Sequence, residues 1–220
     1  MSYIDFIEQT HRSTPRNYLE RVCVHDKVKC ATIAKQFGKD YWDGDRTVGY
    51  GGYSYDGRWR PVADRIAQHY GLKPGQRVLD VGCGKAFLLY ELTQAVPGLE
   101  VAGIDISVYG LENAKEEVRP FLKLSDASCL PYDDEAFDLV ISLNTLHNLK
   151  IFDLFKALRE MERVGRSNKY LVVESYRSMQ EKVNLLYWQL TCESFYAPDE
   201  WQWIFEQARY SGDHGFIYFE

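Results

Sequence analysis

Residues 78–92 of the chain read VLDVGCGKAFLLYEL. The first part of this stretch is typical of a buried strand, its centre is typical of a tight turn, and its last part is typical of an apolar helix. Gly82 and Gly84 allow a ligand to approach the backbone closely, and the following helix N-terminus presents unpaired N–H groups. The segment therefore predicts a strand–turn–helix unit that holds a ligand at its turn.

The turn differs from the one that binds dinucleotides. A G-x-G-x-x-G pattern requires a third glycine where this chain has Phe87. Asp80, two residues before Gly82, favours a ligand that carries positive charge over a pyrophosphate. A nicotinamide cofactor is therefore disfavoured.

Apolar periods of strand and helix alternate regularly after Pro61. Strands separated by helices imply right-handed crossovers and a mostly parallel sheet covered on both faces, which is a doubly wound α/β fold. The predicted strands are 77–81, 100–105, a short one near 121–124, 137–143, 169–175 and a strand-like ending after 214. The predicted helices are 61–69, 86–95, 108–118, 151–164, about 178–192 and about 198–208.

The N-terminal part has a different character. Residues 1 to about 48 carry a broken helical stripe, and residues 43–59 read DGDRTVGYGGYSYDGRW, where glycines alternate with aromatic residues. We expect residues 1–58 to form a helical cap with an aromatic lid loop, and residues 59–220 to form the main domain. The lid hypothesis assigns Tyr50, Tyr53, Tyr55 and Trp59 to the part that closes over the site; a cap without any role in chemistry is the alternative.

Further polar residues follow the later predicted strands. Asp105 ends the second strand about twenty residues beyond the glycine turn, where a carboxylate accepts hydrogen bonds from ribose hydroxyls. It could equally be a polar strand end next to the helix cap at Ser107. Asp126 precedes a turn, and Asn144 and His147 follow the strand 137–143.

Taken together, these motifs resemble the class I S-adenosylmethionine-dependent methyltransferases, most closely their small-molecule branch. The resemblance covers residues 60–176 in order: the D-x-G-x-G turn, the acidic strand end, the D-A pair, the L-P-x-x-D-x-x-F-D run and the L-H after the fourth long strand. Ala86 departs from it, because many members carry a third glycine there. We expect the turn to survive with slightly less room.

The resemblance implies a Rossmann-like sheet with a final antiparallel strand, S-adenosylmethionine as cofactor and S-adenosylhomocysteine as product. It places Asp80 near the ammonium end of the cofactor, Asp105 on the ribose and Asp126 on the adenine amino group. The residues expected to bind the cofactor are Asp80, Gly82, Cys83, Gly84, Asp105, Ile106, Asp126, Ala127 and Asn144.

The expected reaction is transfer of a methyl group to a small-molecule oxygen or nitrogen, in preference to carbon. It needs alignment, exclusion of water and, for a hydroxyl or ammonium acceptor, removal of a proton. His147 is the candidate general base, because imidazole titrates near neutral pH, although a histidine that only packs remains open. Glu174, at a predicted strand end, and Tyr53 of the lid complete the candidate catalytic residues.

Composition limits the partners. A formal net charge of −6, with no basic run, argues against nucleic acid as the main partner. Apolar stretches are short, so we expect neither a membrane nor a secretory segment and predict a cytoplasmic protein. Five cysteines without C-x-x-C spacing predict thiols and no metal site. The oligomeric state stays open, a homodimer included.

Three other functions remain open. An aminopropyl transferase that uses an altered sulfonium cofactor is disfavoured, since Asn144-Thr145-Leu146-His147 offers no acidic pair for a polyamine. A subunit that binds S-adenosylmethionine without catalysis and regulates a partner enzyme stays open, although the intact acidic positions count against it. A protein or other macromolecule methyltransferase is disfavoured by the acidic charge and the lack of an N-P-P-Y type motif.

Overall fold

A six-stranded sheet lies at the centre of the computed structural model, which describes residues 1–7 and 16–220. The strand order is β3-β2-β1-β4-β5-β6, and every neighbouring pair is parallel. From β1 the chain adds β2 and β3 on one side of the sheet, and then it crosses back to add β4, β5 and β6 on the other side. Open α/β sheets bind ligands at the position of this switch, between β1 and β4. The strands are β1 (Arg77–Val81), β2 (Glu100–Asp105), β3 (Leu122–Leu124), β4 (Phe137–Leu143), β5 (Gly165–Glu174) and β6 (Asp213–Ile217).

Helices cover both faces of the sheet, and successive strand residues supply the two apolar layers. Val78 packs in one layer with helix residues such as Ile66 and Leu89, while Leu79 packs in the other with Leu158. The doubly wound α/β fold is thereby confirmed. The helices are α1 (Tyr18–Cys23), α2 (Lys27–Ala34), α3 (Lys39–Asp43), α4 (Arg60–Tyr70), α5 (Phe87–Ala95), α6 (Val108–Glu112), α7 (Ile151–Val164), α8 (Met179–Trp188) and α9 (Pro198–Ala208).

Sequence periodicity predicted the bounds of β1, β2, β4, α7 and α9. Helix α6 is shorter than its predicted range of 108–118. It ends at Glu112, and the chain then turns so that the Lys115 N–H donates to the carbonyl of Lys85 at 3.3 Å. This contact with the glycine turn replaces the hydrogen bonds of a longer helix.

The expected antiparallel final strand is wrong. β6 runs parallel to β5, with Tyr170 opposite Asp213 and Glu174 opposite Ile217. The connection between these strands contains α8 and α9, and a helical crossover of that length returns the chain to the end of the sheet where β5 began.

The predicted helical start is also wrong for the first residues. Residues 2–4 are extended along β6, where the Ile4 N–H donates to the His214 carbonyl at 2.8 Å and the His214 N–H donates to Ser2 at 3.0 Å. Pairing at the edge of the sheet satisfies these backbone groups and overrides the apolar spacing of Tyr3, Phe6 and Ile7. The rest of the predicted early helix, residues 8–15, lies outside the described residues.

The helical cap begins at α1 and continues through α2 and α3 to the aromatic loop of residues 44–59. Asn17 and Asp26 cap α1 and α2 by accepting from the backbone N–H of Glu20 and Lys29, both at 3.1 Å. The cap thereby brings Trp42 and the loop aromatics over the carboxyl ends of the strands. Within the described residues, no helix is long and apolar enough to cross a membrane.

Candidate active site

A cavity lies at the carboxyl ends of β1, β2 and β4, beside the turn that follows β1. All the residues predicted to bind a cofactor line it. The sheet brings them together because the carboxyl ends of parallel strands meet at one edge. These residues are Asp80, Gly82, Cys83, Gly84, Asp105, Ile106, Asp126, Ala127 and Asn144.

Asp80 places a nearly unsolvated carboxylate in the cavity. The residue is 4% exposed, and among the described residues none donates a hydrogen bond to its side chain. Burial, and then the nearby Asp105 carboxylate, raise the pKa of Asp80 to about 8. Such a group is suited to a ligand that brings positive charge.

Asp105 has a different environment at the end of β2. Its Oδ2 accepts from the Gly84 N–H at 2.7 Å, and its Oδ1 accepts from the Ser107 N–H at 2.7 Å. Burial raises the pKa of Asp105, while these backbone donors act in the opposite direction. The bonds fix the carboxylate beside the glycine turn and leave oxygen lone pairs for ligand hydroxyls.

The wall that follows β3 is formed by Asp126 and Ala127, with Ile106 lining the cavity from the end of β2. Asp126 accepts from the Ser128 N–H at 2.7 Å, which orients its side chain. Ala127 is buried, whereas Ile106 is 52% exposed. An exposed isoleucine beside an acidic residue provides an apolar surface for a flat ring next to an acceptor for its amino group.

Several residues of the site have left-handed backbone. Gly82 has φ of 85°, Gly84 of 54°, Ala86 of 55° and Asn144 of 59°. A Cβ on Gly82 would lie 2.1 Å from Thr145 Oγ1, so only glycine fits there. Ala86 adopts the conformation that glycine prefers, and the turn is retained as expected despite this departure from the family pattern. The Asn144 Oδ1 is buried and has no hydrogen-bond partner among the residues that the structure describes.

Aromatic side chains of the cap cover this cavity. Trp42, Tyr50, Tyr53 and Trp59 line it, with Trp42 and Tyr50 stacked at 5.3 Å between ring centroids. Tyr55, which the lid hypothesis included, instead lies outside the cavity and donates to Glu91 Oε1 at 2.6 Å. Three of the four aromatic residues named in the lid hypothesis therefore line the cavity.

Trp42 was missed from the sequence although it lies on the glycine turn. Its Nε1 donates to Ser107 Oγ at 2.8 Å, and a Cβ on Gly84 would lie 2.5 Å from its Cη2. The signal was the aromatic pair Tyr41-Trp42 just before the glycine-rich loop. Lys85, inside the turn, was also missed: its Nζ lies 2.7 Å from both carboxylate oxygens of Asp43.

A second cavity of about 720 Å³ adjoins the first and shares Tyr50, Tyr53, Trp59 and Asn144 with it, among other residues. His147 and Glu174 lie on its wall. The structure therefore separates the predicted catalytic residues, since Tyr53 borders both cavities whereas His147 and Glu174 border only the second.

His147 and Glu174 form a buried pair. The Glu174 N–H donates to His147 Nδ1 at 3.4 Å, and His147 Nε2 lies 3.5 Å from Glu174 Oε2. Burial lowers the pKa of His147 to about 3 and raises the pKa of Glu174 to about 8. Because Nδ1 accepts, the proton of the neutral imidazole lies on Nε2, facing the carboxyl group.

Two further groups are unsuited to nucleophilic or basic roles. Tyr53 Oη accepts from Trp59 Nε1 at 2.8 Å, and burial raises the pKa of the phenol. Burial also raises the pKa of the Cys83 thiol, which keeps it protonated. Among the described residues, no cluster of histidine, cysteine and acidic side chains has the geometry of a metal site.

Comparisons with known proteins identify the family of the chain. A methyltransferase domain family matches residues 72–209. The chain is 31% identical over 122 residues to 27-O-demethylrifamycin SV methyltransferase of Amycolatopsis mediterranei (strain S699), which is 52% of this chain and 44% of that protein. It is 35% identical over 110 residues to demethylmenaquinone methyltransferase of Lysinibacillus sphaericus (strain C3-41), 48% of this chain and 46% of that protein.

One solved structure is similar over most of the chain. It is a complex between the Haloferax volcanii Trm112 methyltransferase activator and a methyltransferase, with a TM-score of 0.54 and 25% identity. The match covers 70% of this chain and 72% of that chain. By contrast, the matched part spans less than half the length of the two curated relatives.

The parallel sheet and the acidic strand ends around a glycine turn define the class I S-adenosylmethionine-dependent methyltransferase fold. The family match extends over more than half of the chain, so the chain belongs to the methyltransferase domain family. The cofactor of this class is S-adenosylmethionine.

The residues of the first cavity fit that cofactor. In the described part of the chain neither the Asp80 carboxylate nor the Asn144 Oδ1 has a hydrogen-bond donor, so both can accept donors or positive charge from a ligand. S-adenosylmethionine supplies both, through its ammonium group, its sulfonium and its ribose hydroxyls.

Proposed function

We propose that this chain transfers a methyl group from S-adenosylmethionine to an oxygen or nitrogen of a small molecule. The observation that carries the proposal is the convergence of Asp80, Asp105 and Asp126 on one cavity. Their carboxylates come from the ends of three successive strands, as a ligand with separate ammonium, ribose and adenine parts requires. The second cavity gives the acceptor a place beside the first.

In this assignment Asp80 holds the ammonium group, Asp105 the ribose hydroxyls and Asp126 the adenine amino group. Gly82 and Gly84 allow the ligand to approach the backbone, and Asn144 borders both cavities at the point where they meet. The cofactor supplies a methyl group that is already activated, so the residues of the chain must mainly align the acceptor and exclude water.

Glu174 is better suited than His147 to take the proton from the acceptor. A histidine whose pKa is about 3 is a weak base at neutral pH, and its two nitrogens are directed at Glu174. A carboxylate whose pKa is about 8 has the basicity that proton removal near neutral pH needs. We assign Glu174 as the general base and His147 as the residue that positions it.

The aromatic lid excludes water from the reacting groups. Trp42, Tyr50 and Tyr53 lie over the cavity, and the contact of Trp42 with Gly84 keeps the cap closed. The high pKa of Tyr53 leaves its phenol as a positioning group rather than a base. The small-molecule assignment rests on this cover, because a macromolecule would need an open approach to Asn144.

Calorimetric titration tests the cofactor part of the proposal. The chain should bind S-adenosylmethionine and S-adenosylhomocysteine but not NAD, and Asp105→Asn should weaken that binding about 10- to 100-fold. The matched control Asp64→Asn removes an exposed carboxylate on α4 and should leave binding unchanged. Catalysis is then tested by S-adenosylhomocysteine formation across a panel of alcohols, phenols and amines; cofactor binding without turnover anywhere on the panel would favour a non-catalytic subunit.

A further inference from the structure

The second cavity is lined by far more cations than anions. Among the residues that the structure describes, the acids in its wall are Asp56 and Glu174. Asp56 is paired with Arg58 at 2.6 Å, and the pKa of about 8 leaves Glu174 largely protonated near neutral pH. Its arginines are Arg16, Arg21, Arg46, Arg58 and Arg65. The described part of the cavity wall therefore carries an excess of positive charge, in a protein whose net charge is −6.

Three of these guanidinium groups surround one indole ring. The distances to the centroid of Trp188 are 4.7 Å from Arg21, 5.4 Å from Arg46 and 5.6 Å from Arg16. Burial, together with the charge of Arg46, lowers the pKa of Arg21. Arg21 and Arg46 therefore repel each other, and an anion between these two groups would relieve that repulsion.

The donors of Arg21 and Arg46 are only partly used. Arg21 Nε donates to the Trp188 carbonyl at 3.0 Å and its Nη1 to the Arg46 carbonyl at 2.9 Å, while Arg46 Nη1 donates to Tyr50 at 2.9 Å. These backbone bonds fix both side chains without neutralising them. Within the described ranges, no carboxylate forms an ion pair with either residue, and Nη2 of each donates to no protein acceptor.

We propose that the methyl acceptor carries a carboxylate or phosphate group that Arg21 and Arg46 bind in the second cavity. This inference rests on the proposed function, since it concerns the substrate of that reaction. Guanidinium groups present paired N–H donors that match the oxygens of both anions, and the Trp188 ring orients them. The cavity continues from the arginines to Asn144 and Glu174, so an anchored acceptor extends toward the methyl-transfer point.

The aromatic walls suggest a matched set of probes. Benzoate supplies the carboxylate, phenyl phosphate supplies the phosphate, and benzyl alcohol is the neutral control of similar size. Each is titrated calorimetrically into the full chain saturated with S-adenosylhomocysteine. The proposal predicts that at least one of the two anions binds tenfold or more tightly than benzyl alcohol, and the stronger of the two identifies the anchoring group.

Substitutions locate the binding. Arg21→Gln and Arg46→Gln should each weaken binding of the anion at least fivefold, and Arg46→Lys should weaken it less because the charge remains. Arg166→Gln is the matched control, since Arg166 lies beside Asp138, outside the cavity, and its substitution should change nothing. Anions that bind no better than benzyl alcohol, or that bind equally to wild type and both glutamine variants, overturn the proposal.

The salt dependence of anion binding to the wild-type protein tests the proposal even if the variants do not fold. Raising NaCl from 50 to 300 mM should weaken binding of the anion several-fold and leave benzyl alcohol unaffected; a salt-independent affinity argues against the site. Failure of the proposed function can be distinguished from failure of this inference, because in that case the chain does not bind S-adenosylhomocysteine. The same anion titrations on the unliganded chain then still decide whether the arginines bind an anion.

Discussion

Lys85 Nζ lies 2.7 Å from both carboxylate oxygens of Asp43, which joins the glycine turn to the N-terminal cap. The same ammonium group donates to the Tyr53 carbonyl at 2.8 Å, and Tyr109 Oη donates to Asp43 Oδ2 at 2.9 Å. The Lys85 side chain is 6% exposed, so this pair has little competition from water. The contact ties the cap and its aromatic loop to the glycine turn beside the cavity.

Asp43→Asn should therefore open the lid. The substitution leaves the Lys85 ammonium buried without its counterion, which costs about 3 kcal/mol of unfolding free energy. Hydrogen–deuterium exchange should rise in residues 39–59, and the affinity for S-adenosylmethionine should fall. Lys156→Met is the control, because it removes an exposed lysine paired with Asp153 and should leave the stability almost unchanged. Unchanged exchange in residues 39–59 would show that the pair does not hold the lid.

The part of the site contributed by strand ends could be predicted from the sequence. Asp80, Asp105 and Asn144 lie at or near the ends of the apolar runs whose period identifies β1, β2 and β4, and parallel packing then brings the strand ends together. Contacts between distant segments have no such pattern. The Lys85–Asp43 pair joins residues 42 positions apart, and Arg21 meets Trp188 across 167 positions.

The predictions of the direction of the last strand and of a helix at the start of the chain failed for a related reason. Nothing in the letters GFIYFE states whether the last strand runs parallel or antiparallel to its neighbour; the helical crossover through α8 and α9 decides it. Likewise, the apolar spacing of Tyr3, Phe6 and Ile7 fits a helix, but the edge of β6 offers hydrogen bonds that an isolated short helix cannot match. Tertiary context overrides local periodicity at both ends of the chain.

Asp80→Asn should stabilise the unliganded protein at high pH. The folded-state pKa of about 8 lies above the model-compound value of 3.8, so the native state retains a proton that the unfolded chain releases. That contribution to stability is fully present below about pH 4 and is lost as pH rises to about 8. Denaturant unfolding at pH 8.5 should find Asp80→Asn more stable than wild type by about 2 to 5 kcal/mol, with little difference near pH 4.

Cofactor binding should remove the proton that Asp80 retains in the unliganded protein. A positively charged ligand favours ionised Asp80, so binding at pH 7 should release most of the proton from a group with a pKa of about 8. Calorimetry in buffers of different ionisation enthalpy measures this release. Asp80→Asn should lose it and bind S-adenosylmethionine more weakly; release that persists in the variant would assign the proton to another group.

Glu174→Gln should slow turnover without affecting cofactor affinity. A base must be deprotonated to act, so the wild-type rate should rise with pH and level off above about pH 8. The variant should lose that rise together with about 100- to 10,000-fold in kcat. Glu100→Gln, which removes an exposed carboxylate at the start of β2, is the control and should keep the wild-type profile. A variant with wild-type kcat would remove Glu174 from the mechanism.

Substitutions at Trp42 and at Gly84 should have coupled effects on the unfolding free energy. Trp42 is 7% exposed, and Trp42→Ala should cost about 3 to 5 kcal/mol of unfolding free energy because it leaves a void above the turn. Trp203→Ala is the control, since that indole is 57% exposed and should cost little. Gly84→Ala should also destabilise, because its φ of 54° strains alanine and the new Cβ would lie 2.5 Å from Trp42 Cη2.

The double variant distinguishes steric contact from backbone strain. If the clash with the indole dominates, Trp42→Ala makes room for the added methyl group, and the two substitutions together cost less than the sum of their separate effects. If strain at the left-handed turn dominates, the effects add, because alanine at position 84 remains strained whether or not the indole is present. A Cβ 2.5 Å from a ring carbon is closer than van der Waals contact allows, so we expect a coupling of about 1 kcal/mol or more in denaturant unfolding. Additive costs would show that the lid does not press on the glycine turn.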